Sequence, residues 1–253
     1  MTKELDRLLA IMATLRGPSG CEWDRAQTFE TIVPHTIEEA YEVADAVSRA
    51  DIEDIRHELG DLLFQVVFQA RIAEESGQFA FDDVAQSIAD KLEARHPHIF
   101  GEEVASQGSR EERWEALKAA ERDAKGAKSA LDGVAAALPA LMRAEKLQKR
   151  AARVGFDWPD REGPAAKLAE ETAELAEAVD DRHRVEEAGD LLFAAVNLVR
   201  AYGVSPEDAL RAANAKFERR FRSMEAEAGG RFAGLSLDEQ ETLWQRVKSA
   251  ETS

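Results

Sequence analysis

The chain has 253 residues, 44% of them hydrophobic and 33% charged, with a formal net charge of −17. That length suits one large or two medium domains, and so acidic a surface argues against a non-specific nucleic-acid binder, which needs a basic footprint. A lone cysteine, Cys21, excludes an intramolecular disulfide, and there is no apolar run of about 18 residues to cross a membrane and no signal-peptide core at the start, so the expectation is a soluble cytoplasmic protein.

Apolar residues at Leu5, Leu8, Leu9, Met12 and Leu15 recur at helical spacing, and Gly17-Pro18-Ser19-Gly20 stops that helix. After a loop through Trp23, Thr36 reads as an N-cap with Glu39 three residues on, a capping box, opening a helix that buries Ile37, Tyr41, Ala44 and Val47. Asp51 caps the next helix, whose nearly continuous apolar run predicts the most buried element of its half. A helix from Asp82 carries Lys91 and Arg95, and Ser109 opens another with Trp114. Residues 123–133 are small and polar and read as a linker between domains at 1–122 and 134–253.

The pattern then begins again. A stripe of Leu138, Leu141, Met142 and Leu147 precedes a loop at Gly155-Phe156-Asp157-Trp158-Pro159. Gly163-Pro164 opens a helix, Asp180-Asp181 breaks it, Ser205-Pro206 starts the helix of Lys216 and Arg220, and Ser236 opens the helix of Trp244. Glu39 corresponds to Glu171, Asp61 to Asp190, Lys91 to Lys216, Arg95 to Arg220 and Trp114 to Trp244, at a separation that drifts slowly because loops absorb the differences. No strand pattern is visible, so the fold class is all-α, two tandem related helical bundles.

The chemistry lies in what is repeated. Each half reads EExxE, then ExxD running into Leu-Leu-Phe. Glu39 and Glu42, and Glu58 and Asp61, are three apart and share a helix face; so do Glu171 with Glu174 and Glu187 with Asp190. Two such helices packed together point four carboxylates into one space, which is unfavourable unless a cation neutralises them, and an all-oxygen set suits Mg²⁺ or Mn²⁺ better than zinc. A single EExxE is usually solvated charge, and a capping role alone accounts for Glu39, but neither explains the whole spacing kept in both halves. Lys91 with Arg95, and Lys216 with Arg220, each share a face; beside a metal-carboxylate cluster they read as phosphate clamps. The histidines lack zinc-site spacing and read as structural, Cys21 lacks a nucleophile's context, and no Walker A, GxGxxG or GxSxG motif is present.

These residues resemble the MazG-type nucleoside triphosphate pyrophosphohydrolases of the all-α NTP pyrophosphatase superfamily. GCEWDRAQTFETIVPHTIEEAYEVADAV, ELGDLLFQVVFQA, RHPHIFG and NAKFERRF carry the resemblance, which covers nearly the whole chain. It implies hydrolysis of nucleoside triphosphates to monophosphate and pyrophosphate, dependence on Mg²⁺, a homodimer, and activity usually residing in the second half. On this reading Glu171, Glu174, Glu187 and Asp190 hold metal, with Glu39, Glu42, Glu58 and Asp61 as the first-half set. Glu170 is a candidate general base, set off the Glu171/Glu174 face. Lys167, Lys216, Arg220 and Trp244 bind substrate, with Lys91 and Arg95 as first-half counterparts. The alternatives are a helical regulatory module that binds nucleotide or metal without turnover, and a diphosphatase or dUTP-type pyrophosphatase on the same helices.

Overall fold

The computed structural model describes residues 3–100, 126 and 128–251, with only the backbone of His98. Among them regular structure is entirely helical. The chain divides into two compact units, residues 1–117 and 118–253.

In the first unit, α1 (Lys3–Leu15) and the short α2 (Glu22–Ala26) lead into α3 (Phe29–Arg49), α4 (Ile52–Glu75), α5 (Phe81–Arg95) and α6 (Pro97–Phe100). The antiparallel pair α3/α4 is its centre, with α1 and α5 packed on α4. Met12, Ile32, Val67 and Phe68 form the sealed core, flanked by Leu8, Leu9, Leu15, Phe64, Ile72 and Phe81. As its apolar run predicts, α4 buries more residues than any other helix of this unit.

The beginning of α3 departs from the sequence reading. Its N-cap is Thr28, whose side chain accepts from Thr31 N while Thr31 returns the bond to Thr28 N. The helix then runs through Pro34, which lacks the amide hydrogen that an interior position normally supplies. Thr36 is therefore inside α3, not at its start: its hydroxyl donates to Ile32 O at 3.2 Å and accepts from Gln69 Nε2 at 2.9 Å, tying α3 to α4. Glu39 has no capping duty. The expected buried stripe is also corrected. Ile37, Tyr41 and Val47 are 43%, 41% and 56% exposed, and Ile32 and Ala46 are the buried residues of α3. Ala50 ends the helix with φ 54°, and Asp51 caps α4 by accepting from Asp54 N at 3.1 Å.

The second unit repeats the plan with α7 (Ala140–Arg153), α8 (Glu162–Glu177), α9 (Asp181–Ala201), α10 (Pro206–Ala228), a 3-10 turn at Phe232–Gly234 and α11 (Leu237–Ala250). Pro164 lies in the first turn of α8, and the caps of α9, α10 and α11 are Asp180, Ser205 and Ser236 as the sequence suggests. Helices α8 and α9 form the central pair, and α7 packs against α9 and α10. Gly229 closes α10 in the left-handed conformation, φ 58°, turning the chain so that α11 folds back to bury Met224, Ala228, Leu243 and Val247. The turns of residues 128–133 are held by the Asp132 carboxylate, which accepts from Lys128 N and Ser129 N. Ser109 and Trp114 lie outside the described residues.

Candidate metal and nucleotide site

The central helix pair of each unit brings its acids together. Oxygens of Glu39, Glu58 and Asp61 lie within 4.8 Å of one another, and so do oxygens of Glu171, Glu187 and Asp190. In both, one acid comes from the first helix of the pair and two, three residues apart, from the second. The remaining acids of the predicted quartets, Glu42 and Glu174, stand beside these trios. Glu42 adjoins Glu39 and Glu58, and Glu174 feels the charge of Glu171 and Glu187.

The electrostatics are those of crowded carboxylates. Glu39 and Glu58 are raised above the ordinary carboxylate range by loss of solvent first, then by neighbouring negative charge: chiefly Asp61 for Glu39 and Glu42 for Glu58. Glu174 is raised in the same way, by loss of solvent and then by Glu171, with Lys167 partly offsetting it. Glu171 is 4% exposed. Among the described residues its close cation is Lys167, whose Nζ is 2.6 Å from Glu171 Oε1 and 2.8 Å from Glu170 Oε1. Those two contacts raise the Lys167 pKa. Hard oxygen donors crowded to this degree, with one ammonium between them, fit a divalent cation of the Mg²⁺ or Mn²⁺ type.

Two further side chains reach the acids: His183, which the sequence reads as structural, and Gln65, which it does not single out. His183 Nε2 is 3.0 Å from Glu187 Oε1, and Gln65 Nε2 is 3.5 Å from Glu39 Oε1. The signal for His183 was its place one helical turn before Glu187; that for Gln65 was its place one turn after Asp61.

The predicted phosphate clamps sit on the next helix of each unit. Lys91 and Arg95 are one turn apart near the end of α5, and Lys216 and Arg220 one turn apart on α10. The Arg220 guanidinium lies 5.5 Å from the centre of the Trp244 ring, so these two predicted residues are brought together. Trp244 also packs on Phe217, with ring centroids 5.7 Å apart. Arg220 Nε donates to Glu251 Oε2 at 2.7 Å; Arg219 binds the other oxygen, and together they hold the Glu251 carboxyl below its ordinary range. Among the described residues no ion pair joins Lys216 or Arg220 to Glu171, Glu174, Glu187 or Asp190.

The family model for the MazG nucleotide pyrophosphohydrolase domain matches residues 27–100 and 161–224, one segment over each carboxylate trio. The chain is 51% identical to an Escherichia coli K12 protein named nucleoside triphosphate pyrophosphohydrolase, across 98% of each chain. It is 43% identical to the Thermotoga maritima protein named nucleoside triphosphate pyrophosphohydrolase/pyrophosphatase MazG, across 97% of this chain and 96% of that one. With two matching segments, each holding one complete carboxylate trio, the chain belongs to the MazG nucleotide pyrophosphohydrolase family.

Proposed function

We propose that the protein hydrolyses nucleoside triphosphates to nucleoside monophosphate and pyrophosphate, using the second-half cluster with Mg²⁺. The observation that carries this reading is the buried Glu171 set within 4.8 Å of Glu187 and Asp190, in a chain whose near-full-length relatives are named for that reaction.

Glu171, Glu187 and Asp190, with Glu174 beside them, would hold the cation; Glu39, Glu58 and Asp61, with Glu42, would do so in the first half. When bound, the cation neutralises charge on the phosphate oxygens as the α–β anhydride opens. The protein's own part is positioning. Lys167 fixes Glu171 and Glu170 through one ammonium, and Glu170 is the proposed acceptor for the proton of the attacking water. Lys216 and Arg220 bind phosphate oxygens, Arg220 exchanging Glu251 for substrate and remaining against the Trp244 ring. Lys91 and Arg95 are their first-half counterparts.

The partner we propose is a second copy of the chain. Val33, Ile37 and Tyr41 on α3, and Leu59, Leu63 and Val66 on α4, lie at helical spacing on packed helices and are all exposed. An uncovered apolar face of this kind marks an interaction surface. The compartment proposed is the cytoplasm. It is supported by the single exposed Cys21 and by the fact that no helix among the described residues is long and apolar enough to span a membrane.

The test is chromatographic identification of the products from ATP, GTP, CTP and UTP, with Mg²⁺ and with chelator. Monophosphate plus pyrophosphate is expected with Mg²⁺ only. Changing an outer-shell group at a metal site already costs about 10–100-fold, so Asp190→Asn should lower turnover by about 100-fold or more while the melting temperature is kept. Unchanged turnover in that variant would remove the second-half cluster from the reaction. Metal-dependent nucleotide binding without any product would make the protein a binding module.

A further inference from the structure

Three charged groups meet where α11 returns along α10. Arg219 and Arg220 are neighbours on α10, and Glu251 is the residue that closes α11. Glu251 accepts one hydrogen bond on each carboxylate oxygen: Arg220 Nε donates to Oε2 at 2.7 Å and Arg219 Nε to Oε1 at 3.0 Å. The two arginines are not alike. The Arg220 side chain is 14% exposed and lies against the Trp244 ring. The Arg219 side chain is 61% exposed, and its ion pair among the described residues is with Glu251. One carboxylate thus joins an inner guanidinium, the predicted phosphate clamp, to an outer one.

Packing of the helices does not call for this contact. Helix α11 is already docked through Met224, Ala228, Leu243 and Val247, with Phe232, Leu235 and Trp244 packed against them. Nor does α11 gain from an acid at its end, because the carbonyl end of a helix disfavours negative charge. Arg220 has a second anchor as well. Its guanidinium lies 5.5 Å from the centre of the Trp244 ring, and that ring packs on Phe217. What the carboxylate does is occupy the Nε donor of the clamp, and Arg219 gives it a second cation to rest on when that donor is taken.

We propose that Glu251 is an internal anion that competes with substrate phosphate for Arg220, and that Arg219 retains it during the exchange; this rests on the reading of Arg220 as a phosphate clamp given above. Without ligand the carboxylate spans both arginines. An arriving phosphate oxygen takes the Arg220 donor, and the carboxylate keeps its bond to Arg219. When the ligand leaves, Glu251 takes Arg220 back. Only the molecules whose clamp is free bind phosphate at full strength, so the competitor weakens every ligand that uses Arg220 by one common factor. Being part of the chain, it competes at a high effective concentration. The device therefore favours a polyphosphate, which engages Lys216 and the cation as well, over an anion that reaches Arg220 alone.

The test compares wild type, Glu251→Gln, Arg219→Gln and the double variant of the full chain. Two constants are measured: KM for ATP, and the dissociation constant of tripolyphosphate with Mg²⁺ by isothermal titration calorimetry. Glu251→Gln should lower both by about threefold to fivefold, the size of one solvent-screened ion pair. Arg219→Gln should raise both, because the carboxylate then rests on Arg220 alone. If Arg219 acts through Glu251, the double variant matches Glu251→Gln. If the two residues merely add charge to the site, the double variant returns to the wild-type values and the proposal is overturned. Unchanged or raised constants in a folded Glu251→Gln variant overturn it too, a rise making Glu251 a support for Arg220. Arg219→Gln, at an exposed position, keeps the test open should Glu251→Gln unfold: constants that stay or fall in it overturn the exchange. If no triphosphate is hydrolysed but tripolyphosphate binds Glu251→Gln more tightly than wild type, the reaction falls and the exchange stands. If wild type turns over ATP and neither constant responds, the exchange falls alone. Absence of both turnover and tripolyphosphate binding removes both.

Discussion

Arg200 ties the loop before α8 to α9 by donating to Asp157, and it also donates to Asn197. Hydrogen bonds from Arg200 hold the Asp157 carboxyl below its ordinary value of 3.8, helped by the backbone N–H of Trp158. A depressed folded-state value stabilises the protein fully above the ordinary value, and that contribution is lost as pH falls through the lowered one. Acid titration of thermal stability should therefore show a loss below about pH 4 that Asp157→Asn flattens; an unaltered acid limb would mean that the pair does not contribute. At this scale the acids were legible in the sequence, since spacing of three on a helix fixes a shared face and the structure closes both trios on that basis. Spacing of three and four also puts Lys167 beside Glu170 and Glu171 and His183 beside Glu187; what it leaves open is whether the rotamers on the packed helices close those contacts. The first half has His35 where the second has Lys167 when the EExxE stretches are aligned, and its ring nitrogen is 3.6 Å from Glu38 rather than on Glu39. The repeat preserves the acids and changes what surrounds them.

The α7–α8 loop depends on one close approach. A β-carbon at position 163 would come within 2.3 Å of Trp158 Cε3, so Gly163 is what allows the indole to lie against the start of α8. Gly163→Ala should destabilise the protein by about 1–3 kcal/mol, the usual cost of overpacking, measured by urea unfolding of the full chain; no change would show that the ring moves aside freely. Most helix boundaries were legible because caps carry their own chemistry, as at Asp51, Asp180, Ser205 and Ser236. The start of α3 was not. Thr36 and Glu39 match a capping box by residue type, but Thr28 and Thr31 make the reciprocal bonds, and the helix passes through Pro34. The stripe of Ile37, Tyr41 and Val47 was read correctly as one apolar face and wrongly as covered. Periodicity reports that a face is apolar and is silent on what lies against it.

For the whole molecule, that uncovered face and the charge of −17 act against each other. Acidic surfaces repel, so association requires the apolar stripes of α3 and α4 to meet in register. Sedimentation velocity should give a dimer for wild type and a shift to monomer for Leu63→Asp, with helicity retained by circular dichroism; a monomeric wild type would assign the face to another partner. The duplicated all-α plan was legible in the sequence because the motif order survives the drift of the loops. The cost of confining three acids within 4.8 Å, twice in one chain, reaches beyond catalysis. Any cation that binds a trio only when the helices are folded is also a folding ligand, and stability then grows with the logarithm of its free concentration. Each unit carries its own trio, so each would respond according to its own affinity, and the ionic supply of the surroundings would set how firmly each half is held together.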